Sequence, residues 1–182
     1  MIADRYPILH IQDIMGSLHG TCVFSKIDLV RAYHQIHVAE ADVPKTPVLT
    51  PLVWFEFLRM PFGLRNAAHT FQRFIDQVTR SLDFAAPYID DILVASRDVK
   101  QHKNHLRQLF NRLADHRVSV NPDKCVSGQS AVDFLGHRID AGDICPLNDK
   151  VTAIREFPVP NRLVGIRQST GMVSYYHRFV PH

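Results

Sequence analysis

Apolar residues recur at helical spacing in several stretches of the chain and alternate or run unbroken in others. Ile11, Ile14, Met15 and Leu18 stand at i, i+3, i+4 and i+7, which predicts a short amphipathic helix ended by Gly20. Cys22 to Leu29 reads as a strand. Val43-Pro44-Lys45-Thr46-Pro47 and Pro51 break regular structure, and Val53 to Leu58 reads as a strand. Ala67, Phe71, Phe74, Ile75 and Val78 predict a helix from a cap at Asn66 to about Arg80. Apolar runs at Phe84-Ala85-Ala86 and Ile92-Leu93-Val94-Ala95 flank Tyr88-Ile89-Asp90-Asp91 and predict a strand, a tight acidic tip and a returning strand. Leu106, Leu109, Phe110 and Leu113 mark another helix, with Lys100, His102, Lys103, His105 and Arg107 on its outer face. Asn121-Pro122-Asp123 is a turn, Val132 to Ile139 a strand, and Asp140-Ala141-Gly142-Asp143 a hairpin turn. Val151 and Ile154 lie on a short helix stopped by Pro158 and Pro160, and a last helical segment starts near Leu163. The sum is an α+β fold, a sheet with helices on one face.

Composition narrows this picture only slightly. The length suits one compact domain, or one with a small appendage. A formal net charge of +3 is compatible with nucleic acid but does not point to it. Cys22, Cys125 and Cys145 have no CxxC spacing, so neither a disulfide framework nor a zinc module is implied, and reduced thiols in a cytosolic or particle interior are the simplest reading. No apolar run approaches the ~18–20 residues of a membrane span, and no membrane partner is expected.

The candidate chemistry lies at the acidic tip. Two adjacent carboxylates in an apolar setting repel each other, and a divalent cation relieves that repulsion; Mg²⁺ takes carboxylate oxygens together with substrate phosphates. Asp90 and Asp91 alone are weak evidence, since most such pairs are solvated turn residues. Asp28, at the end of the strand Cys22 to Leu29, adds a third acid that a neighbouring strand would bring to the same sheet edge, and two-metal sites need a carboxylate able to bridge both ions. His102 and His105 are three apart on one helical face without a Glu or Cys at ligand spacing, and they read as a solvated face whose neighbours could touch phosphates.

These motifs, in this order, resemble the reverse transcriptase of long-terminal-repeat retrotransposons of the Ty3/Gypsy class. The resemblance is carried by Tyr6-Pro7 with the Ile8 to Leu18 segment, Phe24 to Ile36, Phe57 to Ala67 with Met60-Pro61-Phe62-Gly63, and Tyr88-Ile89-Asp90-Asp91. Further along it is carried by Asn121 to Cys125, Phe134-Leu135-Gly136-His137, and Tyr175 to Pro181. It implies a polymerase palm, similar in topology to an RNA-recognition module: residues 1–36 and 67–140 as palm, 37–66 as partial fingers, and 141–182 as the start of a thumb or connection.

It also implies roles. Asp28, Asp90 and Asp91 would be the catalytic acids and would hold two ions, Mg²⁺ or Mn²⁺. Lys124 would give a proton to pyrophosphate or contact phosphate, a solvated turn lysine being the equal alternative. Leu29, Tyr33, Phe62 and Gly63 would contact the incoming nucleotide, Tyr33 as a gate against the ribose 2′-hydroxyl. Tyr88 and Ile89 would touch the primer end. Phe134, Leu135, Gly136 and His137 would grip its backbone; the plain alternative is a core strand, and the two readings are compatible. Implied partners are an RNA or DNA template with its primer, deoxynucleoside triphosphates, and the remainder of a Pol polyprotein with RNase H and integrase. The implied location is intracellular, cytoplasmic or in virus-like particles.

Five residues precede Tyr6, so the basic strand with which the family clamps the triphosphate is not expected in this chain, nor are a full thumb and RNase H. Pro87 beside Tyr88 breaks the family's strand pattern. The two readings that follow are an RNA-directed DNA polymerase fragment and an inert relic that binds nucleic acid weakly. A metal-dependent nuclease would use the acids but leaves Tyr33 unexplained.

Overall fold

The computed structural model describes residues 4–8, 11–51 and 53–179; Leu9 and His10, Leu52, and the Val180-Pro181 end of the last motif lie outside them. Helix α1 (Ile11–Met15) leads into strand β1 (Val23–Asp28), followed by the short strands β2 (Pro47–Leu49) and β3 (Trp54–Glu56) and by helix α2 (Ala67–Val78). Strands β4 (Ala85–Tyr88) and β5 (Asp91–Ser96) form the acidic hairpin, and helix α3 (Val99–Asp115) returns along the sheet. Strands β6 (Val126–Gln129), β7 (Ala131–Phe134), β8 (His137–Asp140) and β9 (Ile144–Pro146) precede helices α4 (Asn148–Arg155) and α5 (Leu163–Tyr176).

The central sheet has the order β4-β5-β1-β6 and is antiparallel throughout. Side chains alternate between its faces. Ile27, Ile92 and Val94 point to one face and pack with Phe71, Ile75 and Val78 of α2 and Leu109 and Leu113 of α3. Phe24, Leu93 and Ala95 point to the other, where Ile11 and Ile14 of α1 meet Val132, Phe134, Ile139 and Ile144 of the sheet β7-β8-β9. The α+β expectation holds: helices α2 and α3 cover one face, and a second small sheet partly covers the other.

Three local expectations change. The stretch Val132 to Ile139 is not one strand. It folds back at Leu135-Gly136, where Phe134 pairs with His137 and both loop residues have positive φ (50° and 77°), the backbone of a type I′ hairpin. Asn66 stands at the helix cap position, but its side chain does not cap; its Oδ1 accepts the Asp4 amide at 3.1 Å and ties the N-terminal segment to α2. The Val53 to Leu58 strand shortens to β3, whose hairpin with β2 leaves Trp54 and Phe55 exposed.

Helix α3 is rotated relative to its predicted face. Its buried stripe is His102, Leu109 and Leu113, while Phe110 is exposed. His102 is therefore not on a solvated face. It is 3% exposed, and its ring nitrogens meet Ser25 Oγ at 2.6 Å and Ser96 Oγ at 2.8 Å. Ser96 Oγ also meets His105 Nδ1 at 2.8 Å, and the His105 ring stacks on Phe84. Hydroxyls can donate or accept, so this network is satisfied with neutral rings. Burial, with His105 nearby, holds His102 below the usual histidine range; burial also lowers His105.

The consequence for stability has a definite sign. A histidine with a depressed folded pKa contributes stability that is fully present above its unfolded value near 6.5 and is lost as pH falls through the folded value. The melting temperature is expected to fall between pH 7 and pH 5, each ring adding at most about 1.4 kcal/mol per pH unit to the slope. His102→Gln should flatten that slope; an unchanged slope in the variant would show that other groups drive the acid transition.

Candidate active site

Strand β1 and strand β5 place Asp28 directly opposite Asp91. The Leu29 amide donates to the Asp90 carbonyl at 2.8 Å, which locks the end of β1 to the hairpin tip. Side-chain alternation puts Lys26, Asp28 and Asp91 on the face opposite α2 and α3. Lys26 Nζ lies 3.9 Å from Asp91 Oδ1, a distant pair. Behind Asp28, the Asn121 amide donates to its carbonyl at 2.8 Å, and the Cys125 sulfur accepts from its amide at 3.4 Å. This brings the turn carrying Lys124 to the acids, and its charge reaches Asp91.

The Asp91 carboxyl is held above the ordinary carboxylate range. Burial is the main cause; Asp90 and Asp28 add to it, and Lys26 and Lys124 oppose it. The three acids are thus close enough to feel one another. Among the described residues, however, no three of His, Cys, Asp or Glu are already gathered to hold an ion. The expected three-carboxylate metal cluster is not preformed, as mutual repulsion would dictate. The donor set still fits Mg²⁺ or Mn²⁺, which take few carboxylates and complete their shell with water and substrate phosphate.

Tyr33 sits on a single 3₁₀ turn, Ala32–Gln35, entered through Arg31 at φ 42°. Its ring meets Phe62 edge-on at 5.2 Å and Phe71 at 5.9 Å. Burial is the main cause of its raised pKa, and Asp90 adds to it. Phe62 is exposed and also touches His34, beside a cleft of about 530 Å³ lined by Lys45, Thr46, Phe57 and Leu64. Gly63 has φ 87° with open space where a side chain would stand, so its backbone is accessible.

Other expected contacts are not available. The Leu29 side chain is buried among the residues under the helices and its amide is taken by Asp90, so it offers a nucleotide no side-chain contact. Phe134 and His137 are at most 1% exposed and belong to the core, leaving Leu135 and Gly136 as the accessible part of the expected grip.

Pattern reading misses Gln72. It is fully buried, one position beside the stripe Phe71–Ile75–Val78. Its Oε1 accepts the Ile89 amide at 2.8 Å, and its Nε2 donates to the Pro87 carbonyl at 3.0 Å and to Asp76 at 2.8 Å. Tyr6 donates to the other Asp76 oxygen at 2.7 Å. Ile89 needs this support. It has φ 50°, a conformation that a β-branched residue adopts only under constraint. Pro87 itself is well placed, because β4 is an edge strand with one ladder partner.

The profile of the family described as reverse transcriptase (RNA-dependent DNA polymerase) matches residues 2–139. The chain belongs to the reverse transcriptase family. A Pol polyprotein from transposon 297 of Drosophila melanogaster is 38% identical over the whole chain, and the retrovirus-related Pol polyprotein from transposon gypsy of that fly is 34% identical over 98% of it. A Tf2 polyprotein of Schizosaccharomyces pombe is 30% identical over 97%. These relatives fit a Ty3/Gypsy-type reverse transcriptase domain. The chain spans 17%, 18% and 13% of their lengths. A foamy viral protease-reverse transcriptase solved with double-stranded DNA has the same fold, with a TM-score of 0.89 at 20% identity, over all of this chain and 32% of that one. A second, solved with an RNA/DNA hybrid, gives 0.80 at 19% identity over 96% of this chain and 24% of that one.

Proposed function

We propose that this reverse transcriptase domain extends a primer 3′-hydroxyl with deoxynucleotides on an RNA or DNA template, as part of a longer Pol polyprotein that also carries RNase H and integrase. The observation that carries the reading is the juxtaposition of Asp28 and Asp91 across β1 and β5, with Asp90 locked beside them. In the proposed reaction the primer oxygen bonds to the α-phosphorus, the bond to the bridging oxygen breaks, and pyrophosphate leaves. Asp28, Asp90 and Asp91 would hold two Mg²⁺ or Mn²⁺ ions, whose Lewis acidity would offset the charge of the transferring phosphoryl group. Lys124 would donate a proton, or its charge, to pyrophosphate. Tyr33, braced by Phe62 and Phe71, would lie under the sugar and exclude a 2′-hydroxyl, and Gly63 would let the backbone approach the nucleotide. Tyr88, Ile89 and the Leu135-Gly136 turn would bear on the primer end.

Residues 1–36 and 67–140 would be palm, 37–66 partial fingers and 141–182 the start of a thumb or connection; β9 pairs with β8 across the last of these boundaries. Pro87, one of the features that argued for the inert relic, is accommodated on an edge strand, which removes that objection to the enzyme.

Primer extension on an RNA template with an annealed DNA primer tests this. Incorporation that requires Mg²⁺ or Mn²⁺ and is lost in Asp90→Asn is the expected result. Salt-sensitive binding of nucleic acid that ignores Asp90→Asn, with no incorporation, would instead establish the weakly binding, inert alternative.

A further inference from the structure

The motif Tyr175 to Phe179 at the end of α5 has no part in the site described above, yet it is built against the Leu135-Gly136 turn. His137 lies at the start of β8 with no exposed surface, and the rings of Tyr175, Tyr176 and Phe179 surround it at centroid distances of 5.7, 5.3 and 5.3 Å. A carbonyl can only accept, so His137 Nδ1 carries the hydrogen and donates to the Leu135 carbonyl at 2.9 Å. Its Nε2 is buried and has no partner among the described residues, which only a neutral ring tolerates; burial keeps the ring neutral by lowering its pKa.

The same Leu135 carbonyl takes a second hydrogen bond, from Tyr175 Oη at 3.2 Å. Leu135 has φ 50°, a strained state for a branched side chain, and such states persist where surrounding contacts over-determine them. Gly136 is equally constrained, since a Cβ there would stand 2.8 Å from Tyr176 Oη. The Leu147 amide closes the turn from the other side, donating to the Gly136 carbonyl at 3.0 Å. Tyr88 of the acidic hairpin and Leu135 of the turn pack on one apolar cluster, which joins the two geometrically.

We infer that the aromatic end of α5 is a seat that fixes the Leu135-Gly136 turn relative to the acidic hairpin, and that Tyr175 is thereby a positioning residue for the primer end. The second clause rests on the proposed polymerase reading. Motion of α5 would then be transmitted to the primer terminus through one hydroxyl and one ring cage, without any contact between α5 and the reacting atoms.

Tyr175→Phe keeps the ring and removes only the hydroxyl, so the chain should fold normally. Amide hydrogen exchange at Leu147 is expected to rise about fivefold, the equivalent of one hydrogen bond. The incorporation rate should fall by a similar factor, with the deoxynucleotide KM unchanged and the melting temperature lower by no more than the roughly 2–4 °C that one hydrogen bond is worth. Unchanged exchange at Leu147 would overturn the seat, even if primer extension by the parent chain is normal. A fall in melting temperature well beyond those few degrees would reduce Tyr175 to a packing residue and overturn the positioning role. If the parent chain incorporates nothing, the polymerase reading and the primer role fall together, and the exchange result alone decides the seat.

Discussion

Asp91→Asn is expected to abolish metal-dependent incorporation and, in the same protein, to raise the melting temperature. The two effects share one cause. Asp91 is partly buried beside Asp28 and Asp90, and its carboxyl is held above the usual range chiefly by that burial. A carboxyl with a raised folded pKa binds its proton more tightly when folded. The Asp91 contribution to stability therefore rises as pH falls from neutral through the folded value toward the unfolded value near 3.9, and the ionised group costs stability at neutral pH. Asparagine makes the neutral form permanent at the same volume. Lys26, freed of a partner at 3.9 Å, is partly exposed and can turn to water.

Stabilising changes at functional positions are commonly worth about 0.5–2 kcal/mol, or roughly 2–4 °C per kcal/mol in a domain of this size. Loss of a metal ligand should lower incorporation on the order of 10³-fold or more. Calorimetry between pH 4 and pH 7 beside primer extension checks both. A lower melting temperature for Asp91→Asn at neutral pH would mean that the Lys26 and Lys124 charges outweigh burial, and that the acids are a structural cluster rather than a strained site.

The parts of this site that could be read from the sequence are those whose signal is local. Asp90 and Asp91 stand between two apolar runs, and such a pattern has few other solutions than a hairpin. Asp28 ends an apolar run, and antiparallel pairing with β5 then puts it opposite Asp91. The helix α2 was legible from its apolar stripe. What was not legible depends on long-range partners. Gln72 looks like an ordinary polar helix residue, and nothing near it in sequence announces Pro87 or Ile89 as its partners. The one usable hint is its place beside the stripe of Phe71, Ile75 and Val78.

His102 carried a stronger hint, because 102, 105/106, 109 and 113 continue a helical stripe. Polarity argued the other way, and only Ser25 and Ser96, distant in sequence or across the helix start, make its burial tolerable. The break at Leu135-Gly136 was hidden because Leu is a poor residue for φ above zero. The turn is enforced by Tyr175 and His137 rather than by its own chemistry. Ser127 and Gln129, unusual for a strand, become ordinary once β6 is seen as an exposed edge strand with an irregular register at Gly128, whose amide donates to Ser25 Oγ.

Gln72→Leu is expected to cost about 2–4 kcal/mol of stability and to slow incorporation beyond what that loss explains. The substitution keeps the volume and the apolar contacts of a fully buried position, so cavity formation is not the cause. What it removes is the acceptor of the Ile89 amide and the donor to the Pro87 carbonyl, one on each side of Tyr88. Each orphaned backbone group costs about 1–3 kcal/mol when buried, and the hairpin is partly exposed, which places the sum in the lower range. Burying leucine in place of an amide offsets part of this.

Local geometry should suffer more than the global fold. Ile89 at φ 50° is strained, and without the Gln72 bond the tip can relax to an unstrained turn, carrying Asp90 away from Asp28. Gln72→Glu separates these contributions. It keeps an acceptor for Ile89 but loses the donor and sets a second carboxylate against Asp76, so it should be the less stable variant. Denaturant unfolding and exchange of the Ile89 amide measure the two effects independently. If Gln72→Leu unfolds at the parent midpoint with Ile89 equally protected, the buried amide is not what holds the acidic tip, and β5 pairing alone must suffice.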